Sequence, residues 1–153
     1  MKQYRRILHP TDFSKASGPA FTEALRLAKQ SRAELLLVHV LLRPTAYFGD
    51  GYVPPRTFET LEADARRSAQ RRLSPLLAKA RAARVRVKAF LLDGVPHEQI
   101  ARAARLKRAD LIVMGTHGRT GLSRFLMGSV TARAIPLAHC PVLTVREKSR
   151  RRS

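Results

Sequence analysis

Short apolar runs alternate along the chain with longer stretches in which apolar residues recur at helical spacing. The predicted strands cover residues 7–10, 35–40, 85–92, 111–114 and 141–145, and the predicted helices begin near Ser14 or Ser17, near Glu59, at Pro96 and at Ser129. An uninterrupted apolar run such as 35–40 is typical of a strand that is covered on both faces. Alternating strands and helices predict a parallel sheet flanked by helices on both faces and joined by right-handed crossovers. The pattern therefore predicts one α/β domain built on an open, five-stranded parallel sheet.

Apolar stripes predict which face of each helix is buried. The first helix, which runs to about Ser31 from a serine cap, has an inner stripe of Phe21, Ala24, Leu25 and Ala28. The stripe of the long basic helix, about 59–83, is Leu61, Ala65, Leu73, Leu76 and Leu77. The helix that opens at Pro96 has an inner stripe of Ile100, Ala103, Ala104 and Leu106.

Two prolines fall inside predicted helices. Pro75 lies within the long basic helix and should kink it, because proline lacks a backbone donor and clashes with the preceding turn. Pro136 lies in the last helix and should cost it about 3 kcal/mol or end it early. Between the second strand and the long helix, residues 43–57 hold several prolines and glycines. A loop of this length is typical of a binding loop or a mobile cover.

Length and composition fit one globular domain. The chain has 153 residues and 44% hydrophobic content. No signal-peptide pattern opens it, and no apolar run is long enough for a membrane span. Cys140 is the single cysteine, so no internal disulfide can form, and a cytoplasmic location is expected. Residues 1–146 are predicted to form the domain, and residues 147–153 a basic tail.

The charge is strongly positive, at +19 with a pI near 11.7. This balance suits a nucleic-acid or anionic partner, and it equally suits an arginine-rich composition without a dedicated partner. Aromatic residues make up 6% of the chain, and they do not alternate with basic residues as in base-stacking surfaces. Non-specific binding to polyanions is therefore expected more than a specific nucleic-acid function.

A glycine-rich segment, residues 115–129, follows the buried strand 111–114. Glycines at the carboxyl end of such a strand allow backbone amides to approach an anion closely. Gly128 and Ser129 then open a helix, whose start favours phosphate. The segment holds no lysine, which excludes the P-loop pattern. A structural turn before a serine-capped helix explains the glycines alone equally well.

Several motifs follow one another along the chain. They are the opening strand and loop at residues 7–14, the segments 38–40 and 94–96, the glycine pattern Gly115-x2-Gly118-x9-Gly128-Ser129, and the closing segment 140–145. Together and in this order, they resemble the ATP-binding branch of the universal stress protein family. The likeness covers nearly all of residues 2–146, and it is therefore more specific than any one glycine motif.

The resemblance implies a Rossmann-like fold of the adenine nucleotide alpha hydrolase type. It also implies ATP, accompanied by Mg²⁺, lying across the ends of the first and fourth strands. Asp12 would contact the ribose or the adenine, together with the backbone of Pro10 and Thr11, and Val40 would line the adenine pocket. The residues implied around the ribose and phosphates are Met114, Gly115, Gly118, Arg119, Gly128, Ser129 and Val130. Without a ligand, Asp12 would instead cap the first helix.

Other constellations favour binding over catalysis. His9 stands where the family often has a small apolar residue, so packing near the ribose can differ. His9 and His39 lie near strand ends, but neither has metal-ligand spacing, and ordinary packing is preferred to a metal site. His117 is a candidate for a phosphate contact or for a turn-shaping role. No serine stands in a nucleophile elbow, so no catalytic residue is assigned.

The main hypothesis is therefore an ATP-binding, nucleotide-dependent stress-response regulator. The last strand, residues 142–145, should lie at a sheet edge, and a homodimer through that edge is expected. The first alternative is a nucleotide-independent protein that uses its basic surface on nucleic acid or acidic partners. The second is a slow ATPase, and neither alternative is excluded by the sequence.

Overall fold

The computed structural model describes residues 3–42, 47–48, 51–52, 54–116 and 127–148. The elements follow in the order β1 (Arg6–Pro10), α1 (Ser17–Ser31), β2 (Glu34–Leu41), β3 (Tyr47–Phe48), β4 (Gly51–Tyr52), α2 (Pro55–Ala82), β5 (Val87–Asp93), α3 (Pro96–Leu106), β6 (Leu111–Gly115), α4 (Ser129–Ala134) and β7 (Val142–Val145). A short 3₁₀ helix, Ile135–Leu137, follows α4 directly.

Five strands form a parallel sheet in the order β5-β2-β1-β6-β7, and β3 and β4 form a separate antiparallel ribbon. In the centre, Ile7 of β1 stands opposite Leu35 of β2 on one side and Leu111 of β6 on the other. β7 lies at the sheet edge, as its sequence predicts. The prediction of an open, five-stranded parallel α/β sheet is confirmed.

Two cores cover the two faces of the sheet because successive strand residues point to opposite sides. Ile7 and Leu37 pack on the face that carries α1 and the second half of α2. Leu8 and Val38, one residue further along each strand, pack on the face that carries α3 and α4. The doubly covered sheet explains why its strands are continuous apolar runs.

Two predicted boundaries were wrong. α2 begins at Pro55 rather than near residue 59, since proline is well tolerated in the first turn of a helix. The stretch 43–57 therefore contains the β3–β4 ribbon and the start of α2. β5 begins at Val87 rather than at residue 85, because the amide of Val85 is bonded to the carbonyl of Ala80 at the end of α2.

Two predicted stripes also need correction. In α2, Leu61 is 43% exposed and Ala65 is exposed, whereas Leu73 is buried as predicted. The first half of α2 extends past the hydrophobic core, and only the second half packs in it. In α3, Leu106 is 69% exposed, because it lies about 200° around the helix from the buried Ala104.

The two prolines behave differently. α2 continues through Pro75 to Ala82. α4 ends at Ala134, and Pro136 lies in the following 3₁₀ helix. The early end predicted for the last helix is confirmed. Within the described part of the chain, no helix combines the length and the apolar character that a membrane crossing requires.

Candidate functional site

A cavity of about 670 Å³ opens at the carboxyl ends of β1, β2 and β6. Its volume lies in the range of small-molecule and cofactor sites, about 300–1,000 Å³. It is lined by Pro10, Thr11, Asp12, Phe13, Ser17, Val38, His39, Val40, Leu41, Leu42, Ala65, Ser68, Ala69, Arg72, Pro96, Ile100, Met114, Gly115, Gly128, Ser129, Val130 and Thr131.

The sheet itself creates this opening. β2 follows β1 on one side, and β6 returns on the other, so the strand order reverses at β1. The pairing of β1 with β6 ends at Leu8 and Ile112, whereas its pairing with β2 continues to Pro10. The two strands therefore part towards their carboxyl ends. Ligands of open α/β sheets bind in the crevice at such a reversal point.

The loop after β1 is held by short-range hydrogen bonds. The amide of Ser14 donates to Oδ1 of Asp12 at 2.9 Å, and the amide of Phe13 donates to Oγ1 of Thr11 at 3.1 Å. Oγ1 of Thr11 also hydrogen-bonds Oγ of Ser17 at 2.9 Å. Helix α1 starts after this loop, with Ala16 rather than Asp12 or a serine at the N-cap. Asp12 thus forms an Asx turn beside the cavity and does not cap α1.

Phe13 has a strained backbone and a well-packed ring. Its φ is +62°, a left-handed conformation that is rare for a bulky side chain. Its ring lies 4.5 Å from that of His39, and the guanidinium of Arg72 stands 5.6 Å from its centre. Such strain concentrates at ligand sites. Sequence reasoning missed these three cavity residues, since no local motif links the loop after β1 to β2 and α2.

The opposite wall is built where β6 meets α4. Oγ1 of Thr131 donates to the carbonyl of Gly115 at 2.8 Å, and the amide of Gly128 donates to the carbonyl of Thr116. These bonds hold the start of α4 against the end of β6. Of the predicted site residues, Gly118 and Arg119 lie outside the described residues, as does His117. The others all line the cavity: Pro10, Thr11, Asp12, Val40, Met114, Gly115, Gly128, Ser129 and Val130.

The first half of α2 closes the cavity from above the sheet. The helical spacing of Ala65, Ser68, Ala69 and Arg72 places all four on the cavity side of the helix. Arg66 bonds both carboxylate oxygens of Asp93 at 3.1 Å, which ties this half of α2 to the end of β5. Three small side chains on one face leave room for a ligand beneath the helix.

His9 fills the gap where β1 and β6 part. It is fully buried, and its Nδ1–H donates to the carbonyl of Val113 at 2.8 Å. Its Nε2 is buried without a hydrogen-bond partner among the described residues. Burial lowers the pKa of His9 from 6.5 to about 4, against the opposing effects of the Val113 carbonyl and the charge of Asp12. His9 is therefore a neutral side chain at physiological pH.

His39 is bonded separately from His9. Its Nδ1–H donates to the carbonyl of Thr11 at 2.7 Å. Among the described residues, no group of three or more His, Cys, Asp or Glu side chains is arranged to hold a metal ion. Both histidines thus fix the strand ends around the cavity through backbone carbonyls.

A sequence model of the universal stress protein family matches residues 3–146. The chain belongs to the universal stress protein family. A curated relative, universal stress protein MJ0531 of Methanocaldococcus jannaschii, is 37% identical over 145 residues, which cover 94% of this chain and 83% of the relative. The membership of this family that the sequence motifs indicate is thereby confirmed.

Solved universal stress proteins share the fold. The structure of MJ0577, a protein of the same archaeon, has a TM-score of 0.82 at 28% identity and covers 97% of this chain and 99% of its own. The structure from Lactobacillus plantarum has a TM-score of 0.83 at 26% identity, covering 95% and 100%. Two more distant structures are complexes, one with cAMP at 23% identity and one, from Archaeoglobus fulgidus, with dAMP at 22%.

Proposed function

We propose that this universal stress protein binds ATP in the cavity at the reversal point of its sheet. The observation that carries the proposal is the convergence of Asp12, the end of β6 and the start of α4 on one cavity of about 670 Å³. A nucleotide needs an apolar slot for its base, a polar group for its ribose and a backbone-rich wall for its phosphates. The cavity offers all three around its rim.

The base fits the apolar part of the cavity. Val40, Leu41 and Met114 line the ends of the central strands, and Ile100 of α3 lies beside them. Apolar and aromatic surfaces bind planar bases by excluding water from their faces. Backbone groups at the strand ends then supply the hydrogen bonds that distinguish adenine from other bases.

The ribose and phosphates fit the polar rim. The carboxylate of Asp12 is half-buried beside the cavity. It suits a ribose, because it can accept hydrogen bonds from the ribose hydroxyl groups. Backbone amides near Gly128 and Ser129 suit the phosphates, and Gly118 and Arg119 of the adjoining segment belong to the same proposed site. Mg²⁺ would be held chiefly by the phosphates, since the described residues form no metal cluster of their own.

Relatives support an adenine nucleotide as the ligand. Two proteins of this fold hold cAMP and dAMP, both of which carry an adenine base and a phosphate. We extend this to ATP because the family resemblance of the glycine segment points to a triphosphate. The proposed role is nucleotide-dependent regulation of a stress response in the cytoplasm by a homodimer paired through β7. Binding rather than efficient turnover is proposed, and no residue is assigned to catalysis.

Isothermal titration calorimetry with ATP tests the role of Asp12. Asp12→Ala should weaken ATP binding at least tenfold, because a hydrogen bond to a charged group is worth about 1.5–3 kcal/mol. Asp12→Asn keeps an oxygen for the Ser14 amide, and it should lose part of the affinity while the loop stays intact. Asp64→Ala, on an exposed part of α2 that does not line the cavity, is the matched control. Equal ATP affinities for all four proteins, or no ATP binding by the wild type, would contradict the proposal.

A further inference from the structure

Three helices end in the same unusual way. At the ends of α1, α2 and α3, the residue in the left-handed conformation is an arginine: Arg32, Arg84 and Arg108, with φ of 54°, 59° and 53°. Each is followed by a buried apolar residue whose amide bonds a carbonyl five residues earlier, at 2.8–3.0 Å. This is the Schellman motif, in which the left-handed position is usually glycine and sometimes asparagine.

Arginine is a costly choice at this position. A left-handed backbone brings Cβ close to the following carbonyl oxygen, and glycine alone avoids that contact. The left-handed position holds arginine on three separate helices. An observed backbone outlier is a reason to ask what the side chain that carries it does.

The three arginines lie on one side of the sheet, at the amino ends of its strands, which we call the amino edge. In a parallel α/β fold every helix ends where the next strand begins, so Arg32, Arg84 and Arg108 precede β2, β5 and β6 at the amino edge. Arg5 precedes β1 and Arg6 is its first residue, and β1 lies between β2 and β6 in the sheet. Backbone bonds join these segments: the amide of Glu34 to the carbonyl of Arg5, that of Asp110 to Arg6, and that of Leu35 to Arg86.

The carboxylates at this edge are already engaged. Glu34 accepts from Lys88 at 3.0 Å and lies 3.7 Å from Arg6. Asp110 accepts from the backbone amides of Arg5 and Arg6 at 2.8 and 3.4 Å. Among the described residues, no acidic side chain forms an ion pair with the exposed arginines that remain, which are Arg5, Arg32, Arg84, Arg86 and Arg108. Lysine and arginine side chains outnumber the two carboxylates here, so the edge carries a row of net positive charge, on the side of the sheet away from the cavity.

We propose that this row, defined here as the arginine edge (Arg5, Arg32, Arg84, Arg86 and Arg108), binds the phosphate backbone of duplex nucleic acid. Neighbouring strands are about 4.8 Å apart, so the row from β5 to β6 spans about 14 Å. That length is comparable with the major-groove width of about 12 Å, so the two ends of the arginine row can contact phosphates on the two strands of the duplex. Guanidinium groups suit phosphate because they donate two hydrogen bonds in one plane.

The surroundings of the arginine edge favour a duplex over other polyanions. Among the described residues here, Tyr4 is half-buried in the core and Phe90 is covered by Lys107, so no exposed ring offers a stacking surface for single-stranded bases. Leu106 is the exposed large apolar residue of these segments, which gives little to insert into a membrane. Binding through phosphates alone is independent of sequence.

The test removes the arginines without harming the fold. Arg32→Gly, Arg84→Gly and Arg108→Gly are combined, and binding to a 30-base-pair DNA duplex of mixed sequence is measured by fluorescence anisotropy over a salt series. The affinity at low salt should fall at least tenfold, and the slope of log K against log salt should decrease by about 2.7, or about 0.9 for each lost phosphate contact. The melting temperature should not fall, because glycine relieves the left-handed backbone.

A control variant separates the effect of where the arginines lie from the effect of the total charge that is removed. Arg56→Gln, Arg67→Gln and Arg133→Gln remove the same charge from exposed positions away from this edge, and should change the duplex affinity less than threefold. An RNA duplex and vesicles containing anionic lipid are measured in parallel, and equal losses on DNA and RNA duplexes support a backbone contact. Equal losses in the two triple variants would overturn the proposal. A glycine variant that loses vesicle binding but keeps duplex binding would overturn it as well.

Discussion

His9 is a basic side chain in a position that water does not reach. Its Nδ1–H bonds the Val113 carbonyl and thereby links β1 to β6 just beyond their last paired residues. Since that nitrogen is the donor, Nε2 carries the lone pair of the neutral ring, and it has no partner among the described residues. Protonating Nε2 would place a charge inside the core. At the residue scale, this makes His9 a source of acid sensitivity.

The stability of the protein should therefore fall as the pH drops from about 6.5 towards 4. In this window the unfolded chain takes up a proton on His9 at its ordinary pKa of 6.5, whereas the folded chain, with a pKa of about 4, does not. The free energy of unfolding then decreases by roughly 3 kcal/mol over the window, and by roughly 2 kcal/mol between pH 7 and 5. His9→Gln keeps an N–H donor but has no imidazole to protonate. Between pH 7 and 5 its free energy of unfolding should therefore fall by roughly 2 kcal/mol less than that of the wild type.

Urea denaturation at pH 7 and pH 5 measures this difference. His139→Gln, at an exposed position, is the control and should lose as much stability as the wild type. If His9→Gln and the wild type lose the same free energy between the two pH values, the buried imidazole is not the cause.

At the scale of elements, α2 performs two separate tasks along its length. Its second half packs Leu73 and Ala80 against the sheet, and its first half covers the cavity with Ala65 and Ser68. The ion pair between Arg66 and Asp93 holds the covering half near the end of β5. A large side chain on the cavity side of this half should therefore occupy the ligand space without disturbing the core.

Ala65→Trp and Ala63→Trp compare the two sides of α2. Both positions are exposed, and only Ala65 lines the cavity. Ala65→Trp should weaken ATP binding at least tenfold, and both variants should keep the wild-type stability within about 0.5 kcal/mol. The chain has no tryptophan of its own, so the indole emission of each variant comes from the new residue alone. The emission maximum should lie at shorter wavelength in Ala65→Trp than in Ala63→Trp. Equal ATP affinities and equal emission maxima would show that this half of α2 does not cover the cavity.

Local sequence patterns predicted the strands and helices better than they predicted which side of each helix is buried. The strands follow directly from apolar runs, because a doubly covered sheet leaves few polar positions. Ala65 and Leu61 were assigned to the core since their spacing is helical, but spacing cannot reveal where a helix runs past the core. The cavity residues Phe13, His39 and Arg72 come together only through the tertiary fold. Asp12 and Gly115 were predictable because both lie at the carboxyl ends of predicted strands, and all such ends of a parallel sheet lie on the same side.

At the scale of the whole molecule, the two ends of the parallel sheet carry different chemistry. The carboxyl edge holds a cavity with small side chains and a carboxylate, and the amino edge holds arginines that have no acidic partner among the described residues. This division follows from the topology, since strand ends gather at one edge and helix ends at the other. A ligand at one edge and a polyanion at the other would bind without competing for the same residues.

Photolabelling with 8-azido-ATP locates the bound nucleotide on the molecule. After irradiation and digestion, the label should be found on peptides that contain residues 10–14, 38–42 or 114–116, where the cavity lining is concentrated. An excess of ATP should suppress this label. Label that is confined to the amino edge, for example on residues 79–88 or 102–110, or label that ATP does not displace, would show that ATP does not bind in this cavity.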